Sequence, residues 1–153
     1  MTFRRKTTRY FQGIELETKI CKAFQKYIER KRPNTKTYLS IRSDKQAPID
    51  FIGRIYHPDS NKTISELAVE VRTLNCTSIE IKDWLWHIMF PISKLNELMQ
   101  FWRMWKECYI VYKLNDWVFF LSWDYYLKHN FEIWENKKGN YLKLPFQCFI
   151  YCN

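Results

Sequence analysis

A chain of 153 residues, 46% of them hydrophobic and with only 3 Gly and 5 Pro, is enough for one compact core and too short for two ordinary domains. A formal charge of +9 on a chain of this hydrophobic content excludes a disordered basic tail as the bulk of the molecule and puts the excess Lys and Arg on a folded surface. Such a surface attracts polyanions, nucleic acid first and an acidic membrane surface second, with a merely solvated basic face as the ordinary alternative.

The opening MTFRRKTTRYF is rich in arginine and free of acids. Residues 1–12 are read as a basic arm whose Arg4, Arg5, Lys6 and Arg9 contact phosphates, in preference to an organellar presequence. A single folded domain is expected over residues 13–153. From Gly13, Leu16, Ile20, Ala23, Phe24, Tyr27 and Ile28 recur at three- and four-residue steps, which predicts a helix closed by the basic ERKR and Pro33. TKTYLSIRS (35–43), APIDFIGRIY (47–56) and ISELAVEVRTL (64–74) predict three strands, the last two joined by the turn-forming HPDSNK. ISKLNELMQFWRMW (92–105) places Leu95, Leu98, Met99, Trp102 and Trp105 on one helical stripe. CYIVYKL and WVFFLSW flank the turn-prone Asn115-Asp116 and predict an antiparallel pair, and YLKLPFQCFIY predicts one more short strand. The predicted order is α-β-β-β-α-β-β, an α/β fold with helices packed on a mixed sheet.

The five cysteines, at 21, 76, 108, 148 and 152, are odd in number and scattered. That pattern predicts a reduced compartment, cytoplasm or an organellar matrix, and not secretion. Cys148 and Cys152 fit an apolar strand better than a zinc site. No apolar run is long enough to span a bilayer, so no membrane partner is expected. His57 is read as solvent-facing in a turn and His87 as partly buried, while Trp102, Trp105, Phe119 and Phe120 are read as core. The stretch DWLWH, beside Lys82, packs on DNA or on a second subunit, and both readings are open.

Along the strand 65–72, Glu66, Ala68, Glu70 and Arg72 share one face and Leu67, Val69 and Val71 the other, which is assigned to the core. Asp50 belongs to the neighbouring strand, so paired strands bring its carboxylate within reach of a cation shared with Glu70. Oxygen ligands alone suit Mg²⁺ or Mn²⁺. An ion there activates water and neutralises charge developing on a scissile phosphate.

PID at 48–50 followed by VEVR at 69–72 resembles the signature of the PD-(D/E)xK nuclease superfamily, whose restriction-endonuclease-like members include Holliday-junction resolvases and intron-type homing endonucleases. The resemblance covers most of residues 13–123. It implies a restriction-endonuclease-like core of order α-β-β-β-α-β and a Mg²⁺- or Mn²⁺-dependent DNA endonuclease, with RNA as a further possible substrate. It also implies Asp50 and Glu70 as metal ligands, Glu17 of GIELE as an accessory ligand, and Arg72 at the motif's third position, where lysine is usual. Guanidinium is bulkier and more delocalised than ammonium and does not shuttle protons at ordinary pH. Three readings are therefore open. Arg72 keeps the electrostatic role with reduced activity; Lys94 of PISKLNEL supplies the ammonium instead; or the site is dead and the fold serves non-catalytic nucleic-acid binding, for example in a ribonucleoprotein. Cutting both strands of a duplex takes two sites, which implies a homodimer or a dimer of dimers.

Overall fold

The computed structural model describes the backbone of residues 2–41, 49–74, 79–82, 85–102, 107–137 and 139–152, and the side chains of residues 16–41, 49–74, 87–100, 107–135, 137 and 139–152. Helix α1 (Thr2–Lys31) buries Ile20, Phe24 and Ile28, the same spacing that predicts it. It stops where Pro33 cannot continue it and Asn34 takes a φ of 63°, a left-handed conformation that asparagine tolerates after a helix. Its backbone is helical from Thr2, ahead of the Gly13 start that apolar periodicity suggests. Arginine and lysine are good helix formers, and the basic segment continues the helix. The side chains of Arg4, Arg5, Lys6 and Arg9 lie outside the described residues.

The remaining elements, in chain order, are β1 (Lys36–Ile41), β2 (Phe51–His57), β3 (Lys62–Thr73), β4 (Ile79–Lys82), β5 (Leu85–Pro91), α2 (Ile92–Trp102), β6 (Glu107–Leu114), β7 (Trp117–Ser122), α3 (Trp123–Lys128), β8 (Ile133–Asn136), β9 (Gly139–Pro145) and β10 (Ile150–Tyr151). They form two sheets, β1-β2-β3-β6-β7-β10 and β4-β5-β9-β8. The first is mixed: β3 and β6 run parallel, Glu70 opposite Ile110 and Arg72 opposite Tyr112, while its other pairs are antiparallel. Close approach of β1 to β2 depends on Gly53, where a Cβ would overlap the backbone carbonyl of Tyr38. The predicted hairpin β6–β7 turns at Asn115, with φ of 53°.

Four sequence expectations change. The stretch before α2 contributes the hairpin β4–β5, and the tail divides: β9 joins the second sheet, a 3-10 turn at Phe146–Cys148 follows, and β10 joins the first. Ser122 ends β7 and caps α3, its hydroxyl accepting from the Tyr125 N–H at 3.1 Å, so the chain turns helical at Trp123 where a strand residue was expected. Most important for the site, both faces of β3 are buried. Leu67, Val69 and Val71 pack with Ile20, Phe24 and Ile28 of α1; Ala68 packs on the opposite face with Leu95 and Leu98 of α2 and with Ile88, Phe90, Leu142 and Leu144 of the second sheet. A central strand in parallel pairing is covered on both sides, so the Ala68–Glu70 face is no open cleft wall.

Phe119 and Phe120 are core as expected, on opposite faces of β7. Trp102 has its backbone in α2, but its side chain lies outside the described residues, as do Trp105, Cys76 and the side chains of Lys82, Trp84 and Trp86. Cys21, Cys108, Cys148 and Cys152 are reduced, outside any disulfide. Among the described residues no helix is long and apolar enough to cross a membrane. His57 is exposed and its Nδ1 stands 3.2 Å from the Asn34 carbonyl.

Just past α1, an ion pair ties the chain to β6. Arg32 grips Glu107 with both nitrogens, at 3.0 and 2.5 Å, and the Tyr109 hydroxyl donates to the same carboxylate at 2.6 Å. Burial alone would raise the Glu107 pKa; the hydrogen bonds from Arg32 and Tyr109 outweigh it and hold the group at about 2. A carboxyl whose folded pKa lies below its unfolded value, about 4.3, adds stability above that value and loses it as pH falls through the folded one. Glu107→Gln is therefore expected to lower stability at neutral pH by about 1–3 kcal/mol and to flatten the acid limb between about pH 4.3 and 2. Urea titration across that range checks both.

Candidate active site

Asp50 stands immediately before β2, and its place explains its role in the backbone. Phe51 is the last β2 residue to pair with β3, opposite Val69, so β3 runs on past its partner. The Val71 N–H, left without a ladder acceptor there, donates to Asp50 Oδ2 at 2.9 Å. The carboxylate substitutes for the missing strand and is thereby fixed in orientation. Glu70 precedes Val71 and follows Val69, the residue opposite Phe51, so the two acids stand beside the same end of the β2–β3 ladder and the charge of Asp50 bears on Glu70.

Glu70 retains 5% of its surface, and its Oε2 is buried without a hydrogen-bond partner. Lys94, near the start of α2, places Nζ 3.6 Å from Glu70 Oε1. Burial, then the Asp50 charge, push the Glu70 carboxyl up to about 8 against the opposing pull of Lys94 and Arg72. Asp50 is also raised, by burial, with the Val71 N–H and the Lys94 charge acting the other way. Burial and the neighbouring charge together disfavour ionising both acids at once.

Arg72 lies on the same strand, yet its guanidinium sits over the Phe90 ring, 5.1 Å from the centroid. That contact attracts the cation to an aromatic face and leaves the direct approach to Glu70 to Lys94. Glu17, on α1, is raised by burial and by the charge of Asp50, so it lies within electrostatic reach of the pair. Among the described residues no three His, Cys, Asp or Glu side chains assemble into a metal cage. The sequence thus anticipates Asp50, Glu70 and Lys94, which the fold gathers, with Glu17 outside their immediate contact.

Two residues near the pair escape a sequence reading. Tyr112 is 1% exposed, and its hydroxyl has no hydrogen-bond partner; it responds to the charges of both Arg72 and Glu70. Nothing in CYIVYKL marks one tyrosine out, and only the parallel register opposite Arg72 does so. Cys21 is buried on α1, its thiol pushed up by burial and by the charges of Asp50 and Glu17.

The donor set fits a hard divalent cation. Mg²⁺ takes oxygen ligands, keeps several waters and is held by as few as one or two carboxylates. An unpartnered buried carboxylate oxygen beside a second carboxylate is the arrangement such an ion satisfies. Comparison of the chain with protein-family models and with curated proteins gives no match, and the site is assigned from its own residues.

Proposed function

We propose that the protein is a Mg²⁺- or Mn²⁺-dependent DNA endonuclease on a restriction-endonuclease-like core, with Asp50 and Glu70 as the metal ligands. The observation that carries this reading is buried Glu70 beside half-buried Asp50, with a lysine ammonium 3.6 Å from the Glu70 carboxylate. The element order supports it, α1-β1-β2-β3 and then α2-β6, with the hairpin β4–β5 added between β3 and α2. When bound, the ion supplies a Lewis acid for the scissile phosphate and lowers the pKa of attacking water.

The chain's own residues do the rest. The Val71 N–H holds Asp50 in place. Lys94 offers a mobile donor beside Glu70, able to orient water or to stabilise negative charge on the phosphate. Arg72, held on Phe90, contributes positive potential at a distance, which assigns the lysine role of the motif to Lys94. Glu17 serves as an accessory acid through water. A duplex cut on both strands engages two copies related by a twofold axis.

Purified protein is incubated with supercoiled plasmid and with a four-way junction in Mg²⁺, Mn²⁺ or chelator, beside Asp50→Asn. Cutting that needs metal and vanishes in the variant is the expected result. Asn keeps an oxygen for the Val71 N–H, so the loss reads chemistry and not folding. Tight, salt-sensitive binding without cutting in any metal would replace this reading with non-catalytic nucleic-acid binding.

A further inference from the structure

We propose that the outward ridge of α1, formed by Lys19, Lys22, Lys26 and Arg30, is a docking surface for the DNA backbone. The inference rests on the nucleic-acid partner of the reading above, but not on the metal site. The described part of α1 separates its charges by sign. Its acids turn inward: Glu17 senses Asp50, and Glu29 Oε1 accepts from the Thr37 N–H at 3.0 Å and the Thr37 hydroxyl at 3.1 Å. The four cations are all exposed.

At 3.6 residues per turn they fall in a sector about 80° wide and extend over about 16 Å, on the side opposite Ile20, Phe24 and Ile28. Arg30 is anchored, its Nη2 donating to the Cys152 carbonyl at 2.7 Å, so the ridge ends in a guanidinium of fixed position. Lys22–Lys26 and Lys26–Arg30 are like-charge pairs four residues apart, which weaken a helix where an acid at either position would strengthen it. A polyanion laid along the ridge removes that repulsion and releases its own counterions.

The ridge suits nucleic acid better than an acidic bilayer. A helix that lies in a membrane interface needs an apolar face to insert, and among the described residues none of the large exposed apolar side chains belongs to α1. Its apolar stripe is already buried on the sheet.

The test compares the triple variant Lys19→Gln, Lys22→Gln, Lys26→Gln with an equally discharged control, Lys62→Gln, Lys128→Gln, Lys137→Gln, whose lysines are also exposed. Glutamine has nearly the helix propensity of lysine. Binding to a fluorescent DNA duplex is titrated in chelator over a range of salt. The ridge variant is expected to lose affinity roughly tenfold to a hundredfold near physiological salt, and its salt slope is expected to drop by about 2.7, three phosphate contacts' worth. The control keeps the wild-type slope. Equal losses in both variants, an unchanged slope in the ridge variant, or no duplex binding by the wild type would overturn the proposal. So would affinity for phosphatidylserine vesicles that falls in the ridge variant while DNA binding does not. Chelator keeps cleavage out of the binding readout, so ridge-dependent binding there together with no cutting in the separate Mg²⁺ and Mn²⁺ incubations would sink the nuclease and spare the ridge.

Discussion

Glu70→Gln is expected to abolish metal-dependent cutting, with turnover falling on the order of 10³-fold, and at the same time to stabilise the metal-free fold. The second effect follows from the position of the group. In the folded chain Glu70 is buried against Asp50 and titrates at about 8, whereas an unfolded glutamate titrates at about 4.3. With the folded pKa above the unfolded one, the favourable contribution is complete below about pH 4.3 and is lost as pH rises through about 8. Wild-type protein in chelator should therefore melt at progressively lower temperature from about pH 5 to about pH 8. Added Mg²⁺ should reverse that fall, because a cation takes over the role of the proton. The amide is close in shape to the protonated acid, so the variant should show a flatter profile over the same window and little response to Mg²⁺. Thermal melts at several pH values, with and without Mg²⁺, check each part. Equal profiles for the two proteins would mean that the carboxyls do not contend for one proton, and retained cutting would remove Glu70 from the site.

Lys94→Gln should lower turnover by about 10²–10³-fold while leaving DNA affinity close to wild type, whereas Arg72→Gln should cost far less. The contrast comes from geometry. The Lys94 ammonium is 3.6 Å from Glu70 Oε1, and the Arg72 guanidinium is occupied over Phe90. Lys94→Arg should recover only a part of the loss, because a planar fork on a longer arm does not reproduce a compact point charge. Single-turnover cutting and duplex affinity, measured side by side for the three variants, separate chemistry from binding. If Arg72→Gln is the more damaging change, the third motif position retains its role despite the unusual residue, and α2 is merely a neighbour.

How far the sequence carried depends on what each pattern encodes. The buried stripe of α1 and the turn at Asn115 were legible because one element alone sets them: apolar spacing in the first case, a left-handed asparagine in the second. Asp50 and Glu70 were legible as a pair because consecutive strands pair locally. The second sheet was not. Ile79–Lys82 and Leu85–Pro91 are short strands in a stretch without clear alternation, and the second partner of β5, beyond β4, is β9, about fifty residues away. The burial of Glu70 was misjudged for a related reason. Glu66, Glu70 and Arg72 give one side of β3 a polar look, and only the parallel neighbour and α2 reveal that it is enclosed. Tyr112 and Phe90 become relevant solely through such long-range packing.

The parallel contact of β3 with β6 carries a consequence for assembly order. Asp50 and Glu70 meet within a local excursion of about twenty residues, whereas β6 reaches β3 only after a crossover of more than thirty, and short loops close sooner than long ones. In a nascent chain with the hairpin formed and the crossover still open, water screens both acids and each ionises as an ordinary carboxylate. Their conflict arises only on final closure, so relieving it by substitution or by a bound cation should retard unlocking of that crossover and leave the early hairpin indifferent.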